Sequence, residues 1–341
     1  MSGRWPADAW RGRLLVVRLS SLGDVVLTTG PLRLLRERRP DLSIDFLTRR
    51  AHAPALAGLP GIDRVLVADD ASPAVSDAAY DRVLDWQGGS KGARAAARLA
   101  PGVGRIGYPH ASFHRRSMVA FGCRIRPPRS YVARLARSIA GEWIDPARLR
   151  PATFVDPERV ERVRAWLAER GRPRNGWVVL APHASRALKE VPAPLVTALG
   201  ERCRDAGCGV VRIEPPSEAC ETAGEGAARG AIEATFRGSV EDVIAVLAAA
   251  RLFIGGDSGI LHLATAVGTP AVGLYGCTVP ELGFSPLGNA AAVGVDLPCR
   301  PCHVHGARRC WLGHRRCWTE QSSDHIWKEA IARLEPASGD A

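Results

Sequence analysis

The sequence predicts an α/β protein built from two Rossmann-like, doubly wound halves. Three observations carry that prediction. Short β-branched runs alternate with helix-length segments, a proline-rich region between residues 127 and 157 interrupts the alternation once, and the charge balance changes at the same place. A length of 341 residues fits two domains, and 46% hydrophobic with 24% charged residues is globular usage that excludes a mainly disordered chain.

In the first half, Leu14–Leu19 is a short apolar run that ends in Ser20-Ser-Leu-Gly-Asp24 and leads into a helix-like stretch, Val25–Arg38. That pattern is a strand, a tight Gly-containing turn and a helix. Ile44–Thr48, Arg64–Val67 and Arg82–Asp85 supply the next strands. In the second half, strands are expected at Trp177–Ala181, Gly209–Ile213, Leu252–Asp257 and Ala271–Tyr275. Helices are expected after Pro192, from Ser217, from Val240 and over Gly259–Val267. Thr319–Leu334 reads as a final amphipathic helix with Ile326, Trp327, Ala330, Ile331 and Leu334 on one stripe. The expected division is 1–150, 151–318 and a C-terminal helix and tail, 319–341.

Residues 1–150 hold 25 Lys/Arg against 13 Asp/Glu, whereas residues 151–341 hold 21 against 22. The first half therefore carries the positive field, suited to a polyanion: an anionic membrane surface, an acidic substrate or nucleic acid. Solvated surface arginines explain the same excess. Nucleic acid is not expected, because neither an aromatic stacking platform nor a recognition motif accompanies the charge. The longest apolar runs, such as Val243–Ala250, fall short of the roughly 20 residues of a membrane span, and Met1–Arg13 has no apolar core of a signal peptide. A cytoplasmic protein that meets a membrane only peripherally is expected, with Trp5 and Trp10 either interface anchors or packing residues. Nine cysteines, an odd number, favour thiols or a metal site over a disulfide framework.

Ligands of open α/β sheets bind outside the carboxyl ends of strands, so the strand-to-helix turns are where chemistry is expected. In the first such turn Ser20, Ser21 and Gly23 offer hydroxyls and amides beside Asp24. Asp24 is either a helix cap or a general base able to take a proton from a sugar hydroxyl. After Trp177–Ala181, Ser185 and Lys189 are a hydroxyl and a cation able to hold phosphate oxygens, although an exposed lysine needs no special explanation. Gly255-Gly-Asp-Ser-Gly259 lets a ligand approach the backbone, and Asp257, Ser258 and Gly259 stand at a helix start that favours a diphosphate. His262, one turn later, is a further donor or a packed residue. No G-x-G-x-x-G follows a strand and no G-x-x-x-x-G-K-[ST] occurs, so dehydrogenase and P-loop readings lose support.

Val17-Arg-Leu-Ser-Ser-Leu-Gly-Asp-Val25, paired with Gly255-Gly-Asp-Ser-Gly-Ile-Leu-His-Leu263, resembles the ADP-heptose:lipopolysaccharide heptosyltransferases, glycosyltransferase family nine. Asp85-Trp-Gln-Gly-Gly-Ser-Lys91 is similar to the family's D-x-Q-G-x-x-K stretch, and Pro182-His-Ala-Ser185 with Lys189 to its phosphate loop. The resemblance spans about residues 14 to 334. It implies a GT-B fold, two Rossmann-like domains facing a cleft, with acceptor on the N-terminal domain and nucleotide-sugar on the C-terminal one. It also implies inverting, metal-independent transfer of heptose from ADP-heptose to the inner core of lipopolysaccharide at the inner face of the inner membrane. Asp24 would be the base, and Ser185, Lys189, Asp257, Ser258, Gly259 and His262 would serve the donor's diphosphate. Glu218, with Glu221 as a rival, would hold its ribose. Ser20, Ser21, Gly23, Lys91, Arg94, Arg115, Arg116 and Arg134 would be candidate contacts to the anionic, lipid-linked acceptor.

Two departures bear on the donor. The family's G-P-T-D-P is replaced by Gly276-Cys-Thr-Val-Pro280, and the tryptophan that commonly follows its lysine is absent after Lys189. A related glycosyltransferase with another nucleotide-sugar or acceptor therefore stays open, as does a non-catalytic polyanion-binding protein. No cofactor is expected for catalysis. Cys299, Cys302, Cys310 and Cys317 are spaced to close a structural zinc site, and reduced packing thiols or a redox role explain them as well.

Overall fold

The computed structural model describes residues 5–68, 79–121, 129–215 and 232–334. They form two compact units, Met1–Ala111 with Arg129–Phe154, and Ser112–Pro128 with Val155–Ala341. The division expected at 150/151 thus changes in two ways. The last boundary lies at 154/155, and the described residues from 112 to 121 join the second unit, taking Arg115 and Arg116 out of the basic first unit.

Up to residue 140 the chain forms β1 (Arg13–Val17), α1 (Leu22–Arg38), β2 (Ser43–Thr48), β3 (Arg64–Val67), β4 (Arg82–Asp85), α2 (Gly89–Leu99), β5 (Arg105–Gly107), α3 (Ser112–Phe121) and α4 (Tyr131–Ala140). All but α3 belong to the first unit. Its sheet is parallel in the order β3-β2-β1-β4-β5, with Leu14 registered against Ile44 on one side and Arg82 on the other. A central parallel strand is covered on both faces, which is why β1 reads Leu-Leu-Val-Val without alternation and all four residues are buried. The buried Asp45 of β2 is satisfied by a two-oxygen pairing with Arg64 and by the Tyr80 hydroxyl at 2.7 Å. Gly30 permits α1 to touch the chain at Leu149, because a Cβ there would lie 2.1 Å from that carbonyl oxygen. Trp5 and Trp10 are both buried, and the Trp5 indole donates to Glu142. They are packing residues, not interface anchors.

The second unit continues with α5 (Pro157–Ala168), β6 (Trp177–Ala181), α6 (Ala193–Asp205), β7 (Gly209–Ile213), β8 (Ala234–Phe236), α7 (Val240–Ala249), β9 (Leu252–Gly256), α8 (Gly259–Val267), β10 (Ala271–Leu274), β11 (Ala290–Val293), α9 (Arg316–Thr319) and α10 (Ser323–Leu334). Its parallel sheet runs β11-β10-β9-β6-β7-β8. The helix expected from Ser217 lies outside the described residues. The single helix expected over Thr319–Leu334 is two, and Ile331 is 41% exposed while Ile326 and Ala330 are buried. The break follows from Gln321, whose side-chain amide donates to the carbonyls of Tyr275 and Cys317 and so ties the interhelix turn to the end of β10. No described helix is long and apolar enough to cross a membrane.

Trp318 anchors the second core. Its ring is buried, its indole N–H donates to the Leu188 carbonyl at 2.8 Å, and it fills the space a side chain would need at Gly276, where a Cβ would lie 2.3 Å from the ring. Gly276→Ala is therefore expected to destabilise the protein by about 1–3 kcal/mol through overpacking. Chemical denaturation should show part of that loss relieved in a Trp318→Leu background, since contacting residues do not act additively. Full additivity would contradict the packing.

Candidate active site

The strand orders place the candidate residues. In the first sheet the chain winds outward from β1 through β2 to β3, then returns to lay β4 on the other side of β1. The topological switch point lies between β1 and β4, and crevices at such points take ligands. The turn Arg18–Asp24 leaves the carboxyl end of β1, and the turn Trp86–Gly88 leaves that of β4. In the second sheet the switch point lies between β6 and β9. Pro182–Lys189 follows β6, and Asp257–Ser258 follows β9. Each unit thus gathers its motif residues at the position its topology reserves for a ligand.

At the first switch point Asp24 occupies the third position of α1 and accepts the Ser21 amide at 2.9 Å and the Ser21 hydroxyl at 3.0 Å. This is the capping alternative, and the same carboxylate does more: its Oδ2 lies 2.6 Å from Nη2 of Arg18. Its side chain is 17% exposed, enough to meet a ligand. Burial raises the carboxyl's pKa, but the Arg18 guanidinium and the Ser21 donors outweigh it and hold Asp24 below the ordinary value of 3.8. The group is an anion throughout the neutral range.

Two residues that sequence reasoning quoted without assigning a role complete this turn. Arg18, itself buried, donates to the Trp86 carbonyl at 2.7 Å and lies over the Tyr131 ring. The Gln87 side-chain oxygen accepts the amides of Leu19 at 2.9 Å and Ser20 at 3.2 Å. The Asp85-Trp-Gln stretch thus braces the Asp24 turn from the neighbouring strand. Asp85 in turn accepts the Gly88 amide and fills the space beside Gly92. Their signal was positional: Arg18 stands one residue past β1 and Gln87 two past β4.

The expected acceptor cations separate. Lys91 and Arg94 are exposed on α2, just past the braced turn. Arg134 is 2% exposed, donates to the carbonyls of Arg129 and Pro109, and lies over the Tyr108 and Tyr131 rings. Its described partners are carbonyls and aromatic rings. Arg115 is buried over the Phe284 ring in the second unit, and Arg116 is exposed beside it on α3. Both belong to the second unit.

At the second switch point Lys189 Nζ lies 2.8 Å from Asp257 Oδ2, which also accepts the Thr278 hydroxyl at 2.7 Å. The lysine stem is held by Gly306, where a Cβ would come within 2.5 Å of it; that glycine has φ +84°, so both space and backbone demand glycine. Gly256 lies against the Lys189 carbonyl with the same exclusion of a side chain. The Ser258 hydroxyl is buried and without a hydrogen-bond partner at the N-terminus of α8, where backbone amides and the helix dipole favour an anion. Gly259 opens that helix and His262 is buried within it, while Ser185 is exposed in the loop before Lys189. Glu218 and Glu221 lie outside the described residues. At the end of β7 the described acid is Glu214, paired with Arg212 and Arg237.

Cys299, Cys302, Cys310 and Cys317 do not form the expected zinc site. Among the described residues no group of three or more His, Cys, Asp or Glu is placed to hold a metal ion. Cys317 is buried in the apolar core, and Cys302 has turned to Cys277, donating its amide to the Cys277 carbonyl at 3.1 Å. Backbone amides of its own turn, Arg315 first, surround Cys310 and lower its thiol pKa. The Cys302 thiol brings Cys277 down to about 7, with the Ala307 amide and Lys189 adding to the effect. Seven described cysteines are free thiols.

Comparison with known proteins agrees with this arrangement. The sequence model of glycosyltransferase family 9 (heptosyltransferase) matches residues 73–310. Lipopolysaccharide heptosyltransferase 1 of Pseudomonas aeruginosa is 27% identical over 323 residues, covering 85% of this chain and 86% of that protein. The fold matches that of the E. coli heptosyltransferase WaaC with ADP at a TM-score of 0.64 and 20% identity, covering 94% of this chain and 99% of WaaC. It also matches the iron-containing dodecameric glycosyltransferase TibC of enterotoxigenic E. coli, with a TM-score of 0.61, 15% identity, and coverage of 95% of this chain and 78% of TibC. The two parallel sheets are those of the GT-B class, and the chain is a glycosyltransferase that belongs to family 9, the heptosyltransferase family.

Proposed function

We propose that the protein transfers heptose from ADP-heptose to the Kdo-bearing inner core of lipopolysaccharide with inversion of configuration, and that no metal ion takes part. The observation that carries this reading is the Asp24 carboxylate, ionised, partly exposed and braced at the switch point of the first unit. The acceptor hydroxyl gives its proton to Asp24 as its oxygen bonds to the anomeric carbon, and the bond from that carbon to the β-phosphate oxygen breaks on the opposite face. The electron pair leaves on ADP. Lys189, the Ser258 hydroxyl and the amides opening α8 are suited to the charge that develops there, a task that prearranged donors perform without a metal. Lys91 and Arg94 are offered to acceptor phosphate or carboxylate groups. The acceptor's lipid places the reaction at the cytoplasmic face of the inner membrane, met peripherally.

A donor panel tests the substrate. With a Kdo-lipid A acceptor, ADP-heptose should yield product of the mass expected for one added heptose, and ADP-hexoses should react far more slowly. The departure at Cys277–Pro280 favours a second reading, a related donor sugar. Faster turnover of another nucleotide-sugar would establish it.

The pH profile tests the role of Asp24. Ionisation of Asp24 should set the acid limb of kcat/KM, and the Arg18 guanidinium should hold that limb low in the wild type. Arg18→Met removes the dominant opposing charge and leaves burial to act, so the limb should move upward toward neutrality. An unmoved limb would detach Asp24 from the rate.

A further inference from the structure

The second unit carries a surface that catalysis does not use. On α3, Phe113 and Phe121 are 80% and 69% exposed. Trp311 is 72% exposed in the loop before α9, with Leu312 exposed beside it. The two segments adjoin: a cleft of about 500 Å³ is lined by Val119, Ala120 and Phe121 from one and by Pro298, Cys299 and Trp311 from the other. Phe121 and Trp311 share this cleft, with Phe113 exposed on the same helix, and exposed aromatic groups brought together in this way mark an interaction site.

The two segments themselves carry charge of one sign. Residues 112–121 and 299–318 contain seven arginines and no Asp or Glu. Arg115 and Arg300 are buried and Arg316 pairs with Glu320, which leaves Arg116, Arg308, Arg309 and Arg315 exposed on the same two segments as the aromatic groups. Exposed aromatic tips among arginines suit the boundary between acyl chains and anionic headgroups, where rings insert and cations meet phosphate. An acidic protein would match the arginines alone.

We infer that Phe113, Phe121 and Trp311, with Arg308, Arg309 and Arg315, form a docking face of the second unit for an anionic phospholipid bilayer. This rests on the membrane-bound acceptor proposed above and moves the docking site away from the basic first unit and from the buried Trp5 and Trp10.

Flotation with vesicles tests it, using phosphatidylcholine alone and phosphatidylcholine mixed with phosphatidylglycerol. The wild type should float with the mixed vesicles, weakly with the neutral ones, and less as salt rises. Arg308→Ser/Arg309→Ser should lower the partition onto mixed vesicles by about fivefold per arginine. Phe113→Ser/Phe121→Ser/Trp311→Ser should lower it on both. Turnover with a deacylated, soluble acceptor should stay at the wild-type rate in both variants, which shows that they fold. If the wild type floats and the variants float equally well, the face is wrong and membrane association stands. A wild type that floats with neither vesicle defeats both. Concentration-dependent self-association that the aromatic variant abolishes would assign the face to a second copy of the chain and overturn the inference.

Discussion

Asp24→Asn is expected to lower turnover about 10²–10⁴-fold at saturating donor and acceptor, with ADP affinity unchanged. Asparagine keeps the size and still accepts from the Ser21 amide, so the cap of α1 and the turn survive. What it removes is the negative charge opposite Arg18 and the site for the acceptor's proton. A fold-level control is necessary, because taking the charge from opposite the buried Arg18 breaks a pair whose loss can cost roughly 3–5 kcal/mol. A variant that stays folded within that margin and has lost turnover separates the base from the cap. Unchanged turnover would leave Asp24 a cap alone.

Lys189→Met should lose about 10²–10³-fold in kcat, together with ADP affinity, because it removes the cation suited to the departing diphosphate. The same change leaves Asp257 with only the Thr278 hydroxyl. Breaking a buried pair costs roughly 3–5 kcal/mol, and the 14% and 12% exposure of these side chains points to the lower end. Stability and activity then separate in the double variant. Lys189→Met/Asp257→Asn should recover much of the stability, since no uncompensated charge remains, and none of the activity. Recovery of both would make Lys189 a structural counter-ion. Retained ADP affinity in the single variant would place the diphosphate elsewhere.

Much of this was legible in the sequence because parallel strands announce themselves. The buried runs Val-Val-Leu in β6 and Leu-Leu-Val-Val in β1 have no alternation to confuse, and the Gly-rich turns mark where each ends. The short edge strands β5 and β8 are three residues each, too short for a periodicity, and were not expected. The candidate residues at strand ends are marked by motifs, but their partners are not. The pairing of Lys189 with Asp257 joins the ends of β6 and β9, and Gln87 reaches Leu19 from the end of β4. Such contacts depend on strand order, which a linear reading does not fix. Burial was not legible either: nothing in the sequence distinguishes Arg134, buried against carbonyls and rings, from the exposed Lys91 and Arg94. The cysteine spacing misled likewise, since the apolar core claims Cys317 and the end of β10 engages Cys302.

The most direct measurement is ADP release from ADP-heptose by purified protein, with and without a Kdo-bearing lipid A acceptor, in the wild type and in Asp24→Ala. Release that needs the acceptor and collapses in the variant is the expected result. Acceptor-dependent release that persists in Asp24→Ala, or no release by folded wild type across several acceptors, would contradict it.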